Sequence, residues 1–331
     1  MIHVETDLKV PAQALRKVIR AQAQEWDMAF TETENRLRVQ MIGGVLSVSG
    51  QGKAARMRVE SDTASDLQAL RDYLTEELME RGLNPEWEGE RPVSRPANQS
   101  LARVARVERI SPTFRRVTLA GPELARFDEA EGFHFRLLFG PEGAGWPGVD
   151  DNGVTVWPGG AAAWHRPVYT VRNLWTEGGV PHLDFDIVLH EGGTVTEWSA
   201  QLAPGAEVIL AGPGGDQGRR AEGWQLFMGD ATAVPVIARL LALLPEETRG
   251  RAVLFVPDAG DRQALDHPAG LEVQWVVTEG PDFAATLAGA EVPAEDRFVF
   301  AAGPRAAIAG LREGLTEAGL GKREVYAAAY W

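Results

Sequence analysis

Cysteine is absent from this chain of 331 residues, which removes disulfides, thiolate-bound zinc, cysteine-ligated iron–sulfur clusters and any cysteine nucleophile. Histidine is scarce: the six, at positions 3, 134, 165, 182, 190 and 267, form no H-E-x-x-H and no i,i+4 pair, so no dedicated metal site is expected. Positive charge is outnumbered, 33 Lys and Arg against 47 Asp and Glu, for a formal net charge of −14. A surface of that sign disfavours non-specific binding to nucleic acid or anionic lipid, while leaving room for a local basic pocket. No stretch approaches the ~18 apolar residues of a membrane helix. Glu5, Asp7, Lys9, Arg16, Lys17 and Arg20 interrupt the first twenty residues, so no signal-peptide core is present there. There is also no G-x-S-x-G elbow and no P-loop lysine motif. These absences predict a cytoplasmic protein without membrane insertion or a nucleic-acid partner.

What remains is an ordinary globular composition, 44% hydrophobic and 24% charged, long enough for two or three domains at about 150 residues each. The stretch EGERPVSRPANQS, with Pro92 and Pro96, breaks the pattern because proline disfavours helix at the preceding residue. This sets a small α+β domain at 1–90 and a linker at 91–100. In that domain Pro11 can open a helix, with Leu15, Val18, Ile19 and Trp26 on one face. Leu37, Val39 and Met41 alternate with Arg36, Arg38 and Gln40 as a strand with one wet face. Gly43-Gly44 is a turn, and Val45 to Val48 and Met57 to Val59 are further strands. A second helix starts at the capping pair Thr63 and Asp66, buries Leu67, Leu70, Leu74 and Leu78, and stops at Gly82.

Residues 101–220 carry short strands and little helix: 104–109, 115–119, 134–139, 169–173, and the clean alternation of Leu183, Phe185, Ile187 and Leu189 against Asp184, Asp186 and Val188. That spacing predicts an antiparallel barrel or sandwich. The Gly- and Pro-rich stretch 140–160 is expected to be a long exposed loop. Residues 221–331 alternate apolar strands (226–228, 253–256, 273–277 and 298–301) with helices over 232–244 and 306–318, the pattern of a doubly wound α/β nucleotide-binding domain.

Three segments carry chemistry. Arg166-Pro-Val-Tyr-Thr-Val-Arg172 offers an aromatic that can stack on a flat ring, a hydroxyl beside it and an arginine fork for a pyrophosphate. In Asp186-Ile-Val-Leu-His-Glu-Gly-Gly-Thr-Val-Thr-Glu-Trp198, Gly193, Thr194, Val195 and Thr196 form a glycine turn opening a helix. Such a turn presents free N–H groups to phosphate, and the Thr196 hydroxyl stands at or near the cap. Gly229-Asp-Ala-Thr-Ala-Val-Pro-Val-Ile-Ala238 follows a strand and begins a helix, with Asp230 and Thr232 at the turn. Gly212-Pro-Gly-Gly215 fails as a dinucleotide fingerprint because Gln217 holds the final glycine position, and it reads as an inter-domain turn. Asp258 or Arg262 is placed to meet a ribose hydroxyl or a 2′-phosphate.

In this order the segments resemble those of siderophore-interacting proteins, ferredoxin-reductase-like flavoenzymes. The match is to R-x-Y-T-x-R, D-x-V-x-H-G-x-x-G-P-A-S-x-W-A, G-D-E-T-A-L-P-A-I, W-x-A-G-E and a terminal Y-W. Pro167 stands where the family places its first arginine, and Ala231 and Pro304 replace family glutamates. The resemblance implies a barrel rather than a sandwich, with FAD on it, and NAD(P)H, or alternatively a ferredoxin, as electron donor. It implies a ferric siderophore or other Fe(III) chelate as acceptor. It assigns Tyr169 and Thr170 to catalysis, and Arg166, Tyr169, Thr170, Val171, Arg172, His190, Gly193, Thr194, Val195, Thr196, Asp230, Thr232, Gly303 and Trp331 to cofactor binding. Arg305, Lys322 and Arg323 are candidates for docking an anionic chelate. No residue is assigned to a metal. A general flavin-dependent electron carrier serving a protein acceptor, or a non-catalytic siderophore-binding module, remains open. The N-terminal domain resembles a small domain of unknown function fused to this family, but Ala21-Gln-Ala-Gln-Glu-Trp26 stands where that domain carries a Cys/His pair.

Overall fold

The computed structural model describes all residues other than 93, 130–131, 216–222 and 279, so Gln217 and the end of the expected inter-domain turn lie outside the described residues. The chain divides into two compact units, one of residues 1–100, 136–167 and 209–213, the other of 101–135, 168–208 and 214–331.

The N-terminal part folds as β1 (Ile2–Leu8), α1 (Ala12–Glu25), β2 (Phe30–Thr33), β3 (Arg36–Met41), β4 (Gly44–Ser49), β5 (Ala55–Ser61), α2 (Ala64–Glu80) and β6 (Glu88–Gly89). These strands form one antiparallel sheet in the order β2-β3-β4-β5-β1-β6. Val4, Leu46, Val48, Met57 and Val59 on one face meet Leu15 of α1 and Leu67, Leu70, Leu74 and Leu78 of α2. The Thr63 hydroxyl accepts from the Asp66 N–H at 3.0 Å, and Gly82, at φ +74°, ends α2 as expected. Strand β1 escapes the sequence reading although Glu5 and Asp7 alternate with Val4, Thr6 and Leu8 as in a strand with one wet face. Val18 and Trp26 correct the expected helix face. Both are exposed, because the stripe that meets the sheet runs through Ala12, Leu15, Ile19 and Ala23 instead.

The stretch 140–160 is not a free loop. Strands β10 (Gly148–Val149) and β11 (Thr155–Val156) pair as a hairpin, and Val154 packs on the N-terminal core. Buried Arg71 donates to the Gly153 carbonyl at 2.9 Å and to the Glu90 carbonyl, while Gln68 donates to the same Gly153 oxygen at 2.9 Å. Asp72 accepts from the Thr155 N–H and hydroxyl at 2.9 and 2.5 Å. Gly153 is required here: at φ +72°, a Cβ would sit 1.9 Å from the Arg71 guanidinium. Trp87, buried, donates its indole N–H to the Thr75 hydroxyl at 2.8 Å.

The barrel is built from β7 (Gln99–Arg109), β8 (Phe114–Ala120), α3 (Arg126–Glu129), β9 (His134–Leu137), β12 (Val168–Thr170), β13 (Asn173–Glu177), β14 (Val180–Val188), α4 (Thr194–Gln201) and β15 (Glu207–Gly214). Its strand order is β12-β9-β15-β7-β8-β14-β13. The two edge strands, β12 and β13, are separated in sequence only by Val171 and Arg172, so the sheet must curl until its edges meet. The α/β part comprises β16 (Trp224–Gly229), α5 (Val234–Leu241), β17 (Arg249–Val256), β18 (Leu271–Val277), α6 (Phe283–Ala288), β19 (Arg297–Gly303), α7 (Arg305–Glu317) and β20 (Val325–Ala329). Its five strands are parallel in the order β18-β17-β16-β19-β20. That order reverses between β16 and β19, a switch point whose carboxyl end is where such sheets bind ligands. No helix of the described residues is long and apolar enough to cross a membrane.

Replacing Arg71 with Leu leaves the Gly153 and Glu90 carbonyls buried without their donor. The expected cost is about 2–4 kcal/mol, on the order of one unsatisfied acceptor at each site, read as a lowered urea midpoint by tryptophan fluorescence.

Candidate functional site

The barrel seam gathers the first cluster. Phe135, Tyr169 and Phe185 pack as one aromatic group, with Tyr169 5.3 Å from Phe185 and 6.3 Å from Phe135 between ring centroids. Burial pushes the Tyr169 hydroxyl above its ordinary pKa, so it stays protonated. The buried Thr170 hydroxyl lies 3.2 Å from Nδ1 of His134. Gly215 closes over that imidazole, since a Cβ there would stand 2.7 Å from its Cδ2. Burial holds His134 below the ordinary imidazole value, and contact with the Tyr169 main chain only partly opposes this. Val171, fully buried, donates its N–H to Phe133 at 2.8 Å, and the Arg172 N–H donates to Asp184 at 2.7 Å, which closes the barrel across the seam.

Beneath the seam lie two buried carboxylates of β14. Here the structure corrects the simple alternation: Asp184 and Asp186 face a second interior, not solvent. Asp186 accepts the Arg116 fork at 2.7 and 2.8 Å, and Asp184 accepts from the Thr118 hydroxyl at 2.7 Å and the Asn173 amide at 3.3 Å. The neighbouring Arg172 is treated differently. Its Nε is 3.9 Å from Asp186 and, though buried, has no hydrogen-bond partner. Burial lowers the Arg172 pKa most, Asp186 opposes this, Arg116 adds to it, and Asp266 and Asp184 oppose it further. The result is a guanidinium held in place by charge with its Nε–H uncommitted among the described residues.

At α4, Gly193 is the N-cap and no side chain caps the helix. A Cβ on Gly193 would lie 2.6 Å from the His190 ring, so the chain needs glycine to pass there. Thr196 is therefore not the cap hydroxyl expected from sequence. It stands inside the helix, where its Oγ1 accepts from the His190 N–H at 3.2 Å. The N–H groups of Thr194, Val195 and Thr196 are the orphan donors of a helix start. Arg115 pins the helix from β8 through the Thr196 carbonyl at 3.2 Å and the Ser199 hydroxyl at 2.7 Å.

The second cluster occupies the switch point. Asp230, directly after β16, accepts the Thr232 N–H at 3.1 Å and the Thr232 hydroxyl at 2.5 Å on one oxygen. Its other oxygen accepts the indole N–H of Trp331 at 2.8 Å. Gly303, which ends β19, comes so close that a Cβ would lie 3.3 Å from the Asp230 carboxyl carbon. The Gly303 carbonyl accepts the Tyr330 N–H at 2.8 Å, and the Arg305 N–H donates to the Trp331 carbonyl at 2.8 Å. Thus Asp230, Thr232, Gly303, Arg305 and Trp331 come together, 101 residues apart at the extreme. The 3-10 turn Ala231–Ala233 lies against β14 of the barrel.

Three expectations fall elsewhere. Lys322 and Arg323 precede β20, at the amino end of the sheet, whereas Arg305 follows β19 at its carboxyl end, so the three do not form one docking patch. Arg166 belongs to the other compact unit, where its guanidinium stacks 4.8 Å over Trp157. Asp258 caps its own turn, accepting from the Gly260 N–H at 2.7 Å, and the acid with a larger task is Asp261. That fully buried carboxylate accepts the Ser111 hydroxyl at 2.6 Å and the Thr113 N–H and hydroxyl at 2.9 and 2.6 Å, tying the α/β part to the β7–β8 turn. Sequence reasoning gave no role to His134, Asp186 or Asp261, although Asp186 heads the D-x-V-x-H segment. Only tertiary contact gives each its partner.

Because folded His134 resists protonation, the unfolded chain binds a proton more readily below the ordinary value of 6.5. Stability should therefore fall as pH drops from 6.5 toward the lowered folded value, and stay flat above 6.5. The wild-type advantage over His134→Asn in unfolding free energy should shrink over that window by at most about 1.4 kcal/mol per pH unit, as read by urea melts at several pH values.

Comparison with known proteins agrees with this geometry. Residues 103–217 match the siderophore-interacting FAD-binding domain, and residues 222–331 match the siderophore-interacting protein family. The ferric vibriobactin reductase ViuB of Vibrio cholerae is 30% identical over 238 residues, spanning 67% of this chain and 85% of that protein. The NADPH-dependent ferric-chelate reductase of Escherichia coli K12 is 31% identical over 237 residues, spanning 69% of this chain and 91% of that protein. The crystal structure of a siderophore utilization protein from T. fusca superposes with a TM-score of 0.59 at 29% identity, over 70% of this chain and 92% of that one. With barrel seam, helix start and switch point all in place, the chain belongs to the siderophore-interacting protein family.

Proposed function

We propose that this protein is an FAD-dependent ferric-chelate reductase that takes electrons from NAD(P)H and delivers them to Fe(III) held in a siderophore or similar chelate, releasing Fe(II). The observation that carries the reading is Arg172. Its guanidinium is half-buried, its Nε is buried without a hydrogen-bond partner among the described residues, and it stands at the seam of a domain matching an FAD-binding family, so it is a ready partner for a dinucleotide's pyrophosphate. The free N–H groups at the start of α4 offer a second set of donors to the same kind of oxyanion. The residues present therefore fit FAD. Arg172, Thr194, Val195 and Thr196 would hold its phosphates, while Tyr169, Thr170 and Val171 would face its ring system beside His190.

When bound, FAD supplies acceptance of an electron pair from a nicotinamide and release of single electrons to iron. The chain's own residues prepare for that. Neutral His134 fixes the Thr170 hydroxyl, and protonated Tyr169 keeps charge out of the aromatic group. Asp230 holds Thr232 and Trp331 at the carboxyl end of the parallel sheet, the end at which such folds bind nucleotides. Arg305 stands at that same end and is the candidate for an anionic substrate group. The iron arrives already chelated, so the chemistry asks the protein for no metal ligands. An enzyme fed by NAD(P)H belongs where that donor is kept, in the cytoplasm. The names of the Vibrio and Escherichia relatives support both the acceptor and the donor.

The decisive experiment is an anaerobic titration of the FAD-loaded protein. NADPH should bleach the flavin absorbance, and a ferric chelate added afterwards should restore it while Fe(II) accumulates in a colorimetric trap. A protein that cannot be loaded with FAD overturns the reading outright. Bleaching only by a reduced ferredoxin would change the donor, and reoxidation only by a protein acceptor would change the substrate. Arg172→Met should weaken FAD binding by about 10- to 100-fold, the worth of one charge-assisted hydrogen-bonding group. Circular dichroism should stay unchanged, since Arg116 alone already neutralises Asp186.

A further inference from the structure

The solvent face of the N-terminal sheet carries a charge pattern that nothing in the reductase reading uses. The register across β3, β4 and β5 places Arg38, Ser47 and Arg58 in one row, and Arg36, Ser49 and Arg56 in the next same-face row. Neighbouring strands lie about 4.8 Å apart and same-face residues along a strand about 6.8 Å apart. The four arginine stems therefore rise from the corners of a rectangle of roughly 10 by 7 Å. The middle strand contributes only serine, so the floor stays low between two arginine walls. The resulting basin has a volume of about 410 Å³ and is lined by these six residues and Glu60.

An ordinary solvated sheet face pairs opposite charges on neighbouring strands. Here like charges face one another across serine, and the flanking carboxylates are displaced to β1, where Glu5 and Asp7 stand opposite Arg58 and Arg56. Arg56 is spent on Asp7, with two hydrogen bonds of 2.9 and 2.8 Å. The other three cations are weakly committed. Arg38 comes within 3.7 Å of Glu60, and Arg58 within 3.3 Å of Glu60 and 3.5 Å of Glu5, without a hydrogen bond in any of these pairs. Arg36 meets no carboxylate among the described residues and donates only to the buried Ser47 hydroxyl, at 3.2 Å. Glu60 Oε2 is buried and accepts no hydrogen bond. The basin thus offers guanidinium forks on two sides, hydroxyls on the floor and one unused carboxylate oxygen.

We propose that this basin binds a compact polyanionic Fe(III) chelate, one whose carboxylate or catecholate oxygens project on opposite sides. It would make the N-terminal sheet a recruiting site for the enzyme's own substrate. The assignment rests on the ferric-chelate reductase reading. Guanidinium forks match paired oxygens on a planar group, and a chelate about as wide as the basin meets both walls at once. The need is electrostatic. A chain of net charge −14 repels an anionic substrate at long range, and a concentrated cationic basin is the local remedy. Inorganic polyphosphate shares the oxyanion chemistry, so it serves as the competing probe.

The test is calorimetric titration of the FAD-loaded, full-length protein with a gallium(III) tris(catecholate) complex. Gallium matches the charge and size of Fe(III) but is not reduced, so binding is read without turnover. The wild type should bind the complex with an affinity that falls as salt rises. Arg38→Ser/Arg58→Ser should bind it about tenfold or more weakly, the loss expected for two charge-assisted contacts. Arg38→Lys/Arg58→Lys, which keeps the charge but loses the forks, should fall between them. NADPH bleaching of the flavin should be the same in all three, and equal far-UV circular dichroism and urea midpoints show that the N-terminal sheet folds in each. Equal affinity of wild type and serine variant overturns the site. So does tripolyphosphate or metal-free catechol binding as tightly as the gallium complex. Arginine-dependent gallium binding in a protein that never reduces the ferric chelate would sink the reductase reading and leave the basin as a chelate site. Ferric reduction whose KM does not move in the serine variant would sink the basin and leave the reductase standing.

Discussion

The barrel depends on a buried carboxylate. Asp186 sits in the interior of β14, where an unpaired charge costs several kcal/mol after relaxation, and the Arg116 fork compensates it. That pairing has a consequence one strand away. With both Asp186 oxygens taken by Arg116, the second cation, Arg172, is drawn to the same place by charge yet finds no oxygen within hydrogen-bonding distance. The protein thereby keeps a half-buried cation in position with its Nε unpartnered among the described residues. Arg172 also closes the sheet through its backbone N–H to the Asp184 carbonyl, so the residue proposed to meet a ligand is one that fixes the barrel's shape.

The α/β part follows the same economy with the signs exchanged. At the switch point Asp230 divides its two oxygens, one to Thr232 at the turn and one to the indole of Trp331, so a single carboxylate anchors both the nucleotide turn and the C-terminal aromatic. Asp261 does the corresponding work at the end of β17, with three bonds to the β7–β8 turn. The 3-10 turn that begins at Ala231 also lies beside β14, so the barrel strand carrying Asp184 and Asp186 runs close to the turn after β16. Barrel and α/β sheet are thus joined through polar contacts whose geometry a small shift would break.

How far this was legible in the sequence depended on range. Tyr169, Thr170, Val171 and Arg172 are contiguous, and Asp230 and Thr232 lie within one turn, so local pattern was enough to find them. Helix α2 announced its own start and stop through Thr63, Asp66 and Gly82. Partners that exist only after strands pair were invisible. Asp184 and Asp186 alternate with leucine, phenylalanine and isoleucine as solvent-facing residues would, and only the arginine and threonine of β8 reveal a second interior. Composition misled at 140–160 because glycine was read as freedom. Gly153 is there because Arg71 fills the space a side chain would need. Helical spacing located α1, but it could not tell which of two apolar stripes would meet the sheet, and Trp26 went to the wrong one.

Arg71 and Arg172 show how a structural cation differs from one that awaits a ligand. Both are buried, and burial lowers the pKa of each, so neither can be explained by solvation. Arg71 ends on the carbonyls of Gly153 and Glu90, groups of the same compact unit that would otherwise be buried without a donor. Its two terminal nitrogens are satisfied inside the fold, although its Nε, like that of Arg172, is buried without a partner among the described residues. Arg172 has no such ending. Asp186, Asp266 and Asp184 favour its charged form, and the Asp186 carboxylate does so from 3.9 Å without a hydrogen bond. A field without contact is what a site needs if the final oxygens are to come from outside. The same distinction separates Arg56, spent on Asp7, from Arg36, Arg38 and Arg58 across the serine floor. In both parts of this chain, the arginines proposed to meet a ligand are ones the fold positions with few hydrogen bonds of their own.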